Sequence, residues 1–140
     1  WITSEDPRIK YYSGTADYTN TFTIKEIPSQ PTYINLGKVV AMAKVYLNGK
    51  YVGGAWTYPY RLNITDYLQK GENTVKIEVV NNWVNRLIGD LKLPAEQRST
   101  WTMVNPWRDD SQLQSSGLFG PVRIESHDYE LLKFSPLSDN

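Results

Sequence analysis

Two carboxyl groups held at a fixed separation can divide the work of acid and base between them. Flat aromatic faces flanked by amides, carboxylates and guanidinium groups can hold a ligand that is apolar on one face and polar at its rim. The residues of this chain suited to either task concentrate between positions 82 and 120: Asn82, Trp83, Asn85, Arg86, Asp90, Trp101, Asn105, Trp107, Arg108 and Asp109. Carboxylates are few there. Asp90, Asp109 and Asp110 are the candidates, with Glu78 just upstream in a strand-like run. Asp109 and Asp110 are adjacent and read as a solvated turn, while Arg86 and Asp90 are spaced for an ion pair within the segment. No pair carries the signature of a general acid beside a base, so the chain reads as non-catalytic. The aromatic and amide residues fit recognition instead, although Trp83 and Trp101 could equally pack the segment onto a sheet.

Other chemistries are poorly supplied. With no cysteine and a single histidine, thiolate zinc sites, disulfides and cysteine nucleophiles are excluded. His127, within Ser126-His127-Asp128, reads as a surface turn. No cofactor is expected; a structural calcium would have to draw on Asp66, Glu72 and Asp109, which share no spaced motif. Fifteen basic residues balance fifteen acidic ones, and this argues against a nucleic-acid or anionic-membrane partner. Five Trp and ten Tyr outnumber three Phe, so the aromatic content carries polar handles.

The elements that must position the segment read as strands. In 17–25, Tyr18, Phe22 and Ile24 share one face opposite a row of threonines. Pro28 and Pro31 interrupt, and 32–36 resumes in extended form. Val39, Ala41, Ala43, Val45 and Leu47 predict one half-buried strand over 39–47, turned by Asn48-Gly49 into a return strand with a bulge or bend at Gly53-Gly54. A short strand over 60–64 precedes one helical turn, Thr65-Asp66-Tyr67-Leu68, with Thr65 as its cap. Asn63-Ile64-Thr65 is formally a glycosylation sequon and also fits this strand-to-turn junction. Val75, Ile77 and Val79 alternate with Lys76 and Glu78 in a strand over 74–81. Residues 82–120 show almost no periodicity and read as one long functional loop. Within it Gly117 and Gly120 bracket Leu118-Phe119, an apolar pair suited to plug the core. Strands over 121–126 and 129–134 close the chain. Seven to eight short strands with almost no helix predict an all-β, two-sheet β-sandwich of jelly-roll type.

Three ordered blocks carry a resemblance: Val45-Tyr46-Leu47-Asn48-Gly49-Lys50-Tyr51-Val52-Gly53, Pro59-Tyr60-Arg61-Leu62-Asn63-Ile64-Thr65-Asp66-Tyr67-Leu68, and Lys70-Gly71-Glu72-Asn73-Thr74-Val75. Together they resemble the galactose-binding-like, sugar-binding jelly-roll domain of family 2 glycoside hydrolases. Two further blocks, Ser13–Tyr18 and the pair Asn82–Asp90 and Ser116–Val122, resemble the C-terminal jelly roll of the α-L-rhamnosidase-type enzymes of glycoside hydrolase family 106.

The resemblance implies a single domain over 1–140, excised from a larger periplasmic or secreted enzyme. It further implies a neighbouring catalytic domain and a carbohydrate as partners. By resemblance, Asn82, Trp83, Asn85, Arg86 and Asp90 reach toward the sugar; by residue type, Trp101 and Trp107 join them. Two functions follow as expectations: a non-catalytic accessory domain of a larger glycosidase, or an autonomous carbohydrate-binding module.

Overall fold

A computed structural model describes residues 1–126. The chain opens with one helical turn, α1 (Pro7–Lys10), capped by the Asp6 carboxylate, which accepts the Arg8 N–H. Strand β1 (Thr15–Ile24) then runs antiparallel to β7 (Gly71–Val80) along its ten residues. With β4 (Met42–Leu47) and β5 (Lys50–Ala55) they make a four-stranded sheet ordered β1-β7-β4-β5. Facing it is a three-stranded sheet in which β2 (Thr32–Asn35) lies between β6 (Arg61–Asn63) and β9 (Arg123–Ser126). A small ladder joins β3 (Lys38–Val39) to β8 (Leu118–Gly120).

Alternation decides which face is buried. On the four-stranded sheet Ala43, Val45, Leu47, Val75, Ile77 and Val79 turn inward, and Tyr18, Phe22 and Ile24 pack at their side. They meet Ile34, Leu36 and Ile64 from the opposite layer. The result is the expected two-layer, all-β sandwich, with its core between the sheets.

One end of the sandwich is locked by amides. Asn48 and Gly49 adopt φ of +52° and +77°, the pair of left-handed residues that a two-residue hairpin demands. The Asn48 side chain then donates to the Tyr67 carbonyl and to Asn73 Oδ1, and accepts the Thr74 N–H at 3.0 Å. Asn73 is fully buried; its Oδ1 also accepts the Gln69 N–H, and its Nδ2 donates to the Gln69 and Gly71 carbonyls. Two asparagines therefore satisfy the turn before β7 and the hairpin after β4 together.

Several expectations change. The single strand over 39–47 is two strands, because Ala41 takes φ +70° and is exposed, which sends Val39 to pair with Leu118. The helical turn at Thr65 is a 3-10 turn (Thr65–Tyr67) without a Thr65 cap. Asn63 Oδ1 accepts the Thr65 N–H instead, and the Thr65 hydroxyl accepts the Thr32 N–H, tying the turn to β2. The bulge predicted at Gly53-Gly54 lies just before them, where the register slips between Val45↔Gly53 and Tyr46↔Tyr51. Leu118 does pack on the core, but Phe119 is exposed with Lys38 Nζ over its ring. The expected strand over 129–134 and His127 lie outside the described residues.

Replacing Asn73 by Ala removes a buried amide and with it the hydrogen bonds to Asn48, to the Gln69 N–H and carbonyl and to the Gly71 carbonyl. We predict a loss of about 3 kcal/mol in urea unfolding, seen as a lower midpoint at unchanged slope.

Candidate functional site

The segment after β7 is not one irregular loop. Val84, Leu87, Ile88 and Leu91 recur at the i, i+3, i+4, i+7 spacing and form helix α2 (Val84–Leu91). A 3-10 turn follows at Ala95–Gln97. The Asn82 side chain accepts the Val84 N–H at the start of α2. Gly89 allows the helix to seat on the N-terminal segment, since a Cβ there would lie 2.5 Å from the Tyr11 ring. At the base of the segment Asn81 Oδ1 accepts the Gly117 N–H.

Asp90 organises what lies beyond the helix. Its residue is only 3% exposed, yet its carboxylate is well supplied with donors. Oδ2 accepts the backbone N–H groups of Ser99 (3.0 Å) and Thr100 (2.8 Å) and the Thr100 hydroxyl (2.6 Å). Oδ1 faces the Arg86 guanidinium at 3.1 Å, one turn earlier on α2. Arg86 also donates through Nε to the Ser99 hydroxyl at 2.7 Å. Burial pushes the Asp90 carboxyl up, but the Thr100 and Ser99 hydrogen bonds and the Arg86 charge outweigh it and hold it below the ordinary value of 3.8. Asp90 is thus a fixed anion, the opposite of a general acid. Glu78 is likewise held low, by the Lys76 ammonium 2.5 Å from it. Asp109 and Asp110 are exposed, as a solvated turn would be.

A second staple closes the segment from the other side. Asn85 donates to the Gln114 carbonyl (2.7 Å) and accepts the Gln114 N–H (2.8 Å), a reciprocal amide–peptide pair. These contacts anchor the backbone of the segment that carries three indoles. Trp83 (71% exposed), Trp101 (84% exposed) and the half-buried Trp107 line one cleft of about 390 Å³ with Thr100 and Thr102. Trp101 also borders a neighbouring cleft of about 390 Å³ that holds Arg98 and Asn105.

Of the predicted site residues, the structure therefore brings Trp83, Trp101 and Trp107 together at a surface, while Asn82 caps the start of α2 and Arg86 pairs with Asp90 and Ser99. Asn85 (2% exposed) and Asp90 are buried: Asn85 spends its amide on Gln114 and Asp90 Oδ2 accepts from Ser99 and Thr100, while Asp90 Oδ1 faces only the Arg86 guanidinium and the residue borders the cleft of Arg98 and Asn105. The exposure of Trp83 and Trp101 also sets aside the alternative that they merely pack onto the sheet. Among the described residues no group of three or more His, Cys, Asp or Glu side chains could hold a metal ion.

Residue-type reasoning passes over Ser99 and Thr100, whose role depends on a helix end nine residues earlier. It also passes over Trp56 and Tyr58. The registers Met42↔Val80 and Ala43↔Ala55 bring the ends of β7 and β5 to the same end of the sheet, so exposed Trp56 and Tyr58 emerge on the side where α2 begins. The aromatic run Trp56-Thr57-Tyr58-Pro59-Tyr60 was the available signal.

The family model described as glycosyl hydrolase 2 galactose-binding domain-like matches residues 4–113, well over half of the chain. The chain belongs to this family. Among relatives of this galactose-binding-like domain, a putative beta-glucuronidase of Formosa agariphila is 37% identical over 89% of the chain and 13% of that protein. A beta-galactosidase of Priestia megaterium is 31% identical over 100% of the chain and 13% of that protein. The solved rhamnosidase from Novosphingobium sp. PP1Y superposes with a TM-score of 0.80 at 44% identity, over 87% of this chain and 12% of that one. The galactose-binding-like domain thus spans about an eighth of the length of these relatives.

The Asp90 staple predicts a pH-dependent stability. A carboxylate whose folded pKa is depressed stabilises fully above its unfolded value, and the contribution fades as pH falls below about 4 through the lower folded value. Asp90→Ala should therefore cost about 3 kcal/mol at pH 7. The difference from the parent should shrink toward pH 2–3, a range set roughly by the usual carboxylate pKa, in thermal melts across that range.

Proposed function

We propose that this domain is a non-catalytic accessory module of a larger glycoside hydrolase of α-L-rhamnosidase type. It supports a catalytic domain in the same polypeptide and presents the Trp83–Trp101–Trp107 cleft to the glycan. The observation that carries this reading is the pre-fixed cleft: three indoles at a surface, held by a buried ionised carboxylate and a reciprocal amide pair. Indole faces suit the C–H surface of a pyranose, and the Thr100 and Thr102 hydroxyls and Asn105 amide nearby suit its hydroxyls. Pre-organisation matters because a site already ordered loses little entropy on binding. The low pKa of Asp90, the exposure of Asp109 and Asp110 and the pairing of Glu78 with Lys76 support a non-catalytic role. The 44% identity to the rhamnosidase supports that enzyme type over the glucuronidase and galactosidase relatives, which are 37% and 31% identical.

The second reading, an autonomous carbohydrate-binding module, is favoured by the same exposed indoles, and calorimetry separates the two. Binding of rhamnose-containing oligosaccharides by the 140-residue chain alone supports autonomy. In the full-length enzyme, we expect Trp101→Ala to raise KM for an oligosaccharide about tenfold, equivalent to about 1.4 kcal/mol. The same change should leave kcat on a small aryl α-L-rhamnoside within about twofold. An unchanged KM would remove the cleft from substrate binding. Activity on an aryl β-glucuronide alone would replace the rhamnosidase assignment.

A further inference from the structure

The cleft that borders Trp101 on the α2 side, about 390 Å³ in volume, carries a charge that the described protein leaves unmatched. Its wall includes Asp90, Arg98, Thr100, Trp101, Thr102 and Asn105. Asp90 is compensated: Oδ2 accepts from Ser99 and Thr100, and Oδ1 faces the Arg86 guanidinium at 3.1 Å. Arg98 is different. It is exposed, and among the described residues no carboxylate makes an ion pair with it. Counting the Arg86–Asp90 pair as neutral, Arg98 leaves the wall with a net positive charge.

That charge is held in place. Arg98 Nε donates to the Leu93 carbonyl at 3.0 Å, just past the end of α2. The next two peptide N–H groups along the chain, those of Ser99 and Thr100, are the ones fixed on Asp90. With Nε engaged, the guanidinium keeps its two terminal nitrogens, which lie in one plane and offer parallel N–H donors. The two coplanar oxygens of a carboxylate match that edge. Trp101 supplies a flat apolar face on the same wall. Asn105 accepts the Trp107 N–H through Oδ1 and so keeps its Nδ2 as a further donor. An apolar ring with hydroxyls and one carboxylate at its rim satisfies all three groups, and a uronic acid has that pattern.

We propose that this cleft receives an acidic residue of the glycan, a uronic acid whose carboxylate pairs with Arg98 while its ring lies against Trp101. This names the substrate class for the glycan-binding reading above and rests on that reading. The cleft lies away from the last described residue. Ser126 pairs with Thr32 beside the Thr65–Tyr67 turn, at the amide-locked end, whereas α2 follows the other end of β7.

The test compares two rhamnose-terminated oligosaccharides on the full-length enzyme at low salt. One carries a glucuronic acid residue next to the rhamnose; in the other that carboxyl is reduced to a hydroxymethyl group. KM for the acidic form should be about tenfold lower, the size expected of a charge-assisted contact. The ratio should fall to near one in Arg98→Gln, and Arg98→Lys, which keeps the charge and loses the fork, should retain only part of it. Salt at about 0.5 M should shrink it too, because an exposed guanidinium is screened. Equal KM values for the two forms in the parent enzyme overturn the proposal. If Trp101→Ala still raises both values, glycan binding at the indoles stands and only the acid preference fails. An acid preference that survives Arg98→Gln puts the recognising cation elsewhere and also overturns it. Tighter binding of a counterpart bearing an ester sulfate in place of the carboxylate overturns the uronic acid assignment.

Discussion

A single buried carboxylate governs the end of this domain that carries the indole cleft. Asp90 gathers the Ser99 and Thr100 peptide N–H groups at 3.0 and 2.8 Å and the Arg86 guanidinium at 3.1 Å. The chain that leaves α2 must therefore double back across the helix before it continues to Trp101. Removing this anion from water would be unfavourable on its own. Here the donors compensate so well that the charged form is favoured, and the negative charge becomes a structural peg. The peg anchors the backbone one and two residues before Trp101 and leaves that indole exposed.

The rest of the fold supplies what the peg needs. Helix α2 must begin at a fixed point, and β7 provides it because its ten residues are paired on both sides, with β1 and with β4. At the opposite end of the sheet Asn48 and Asn73 fix the register of that pairing through buried amides. A slip of one residue there would reverse the inward face of β7. It would also rotate the origin of α2, and the indoles with it. The amide-locked end and the indole cleft at the other are thus linked through one strand.

Much of this was legible in the residues. Period-two alternation located β1, β4 and β7, and Asn48-Gly49 located the hairpin with both positive φ values. The break at Ala41 was not legible, because alternating apolar residues run straight through a position where the chain changes partner from β8 to β7. Helix α2 was legible in principle. Val84, Leu87, Ile88 and Leu91 have helical spacing, but the polar residues among them obscured it. The site divided along similar lines. Trp101 and Trp107, taken by type, share a cleft with Trp83, which the resemblance gave, whereas Asn85 and Asp90, given by the same resemblance, are buried. Residue type states what a side chain can bind; only the path of the backbone decides whether its partner is a ligand or the protein.

The central claim is that the indole cleft is held rigid before any ligand arrives. Backbone relaxation of Ser99 to Thr102 in the unliganded protein at neutral pH measures this directly. Order parameters near the rigid-backbone value of about 0.85 are predicted, matching those of β7. Values below about 0.6 would mean that the Asp90 peg does not hold in solution, and would contradict the account.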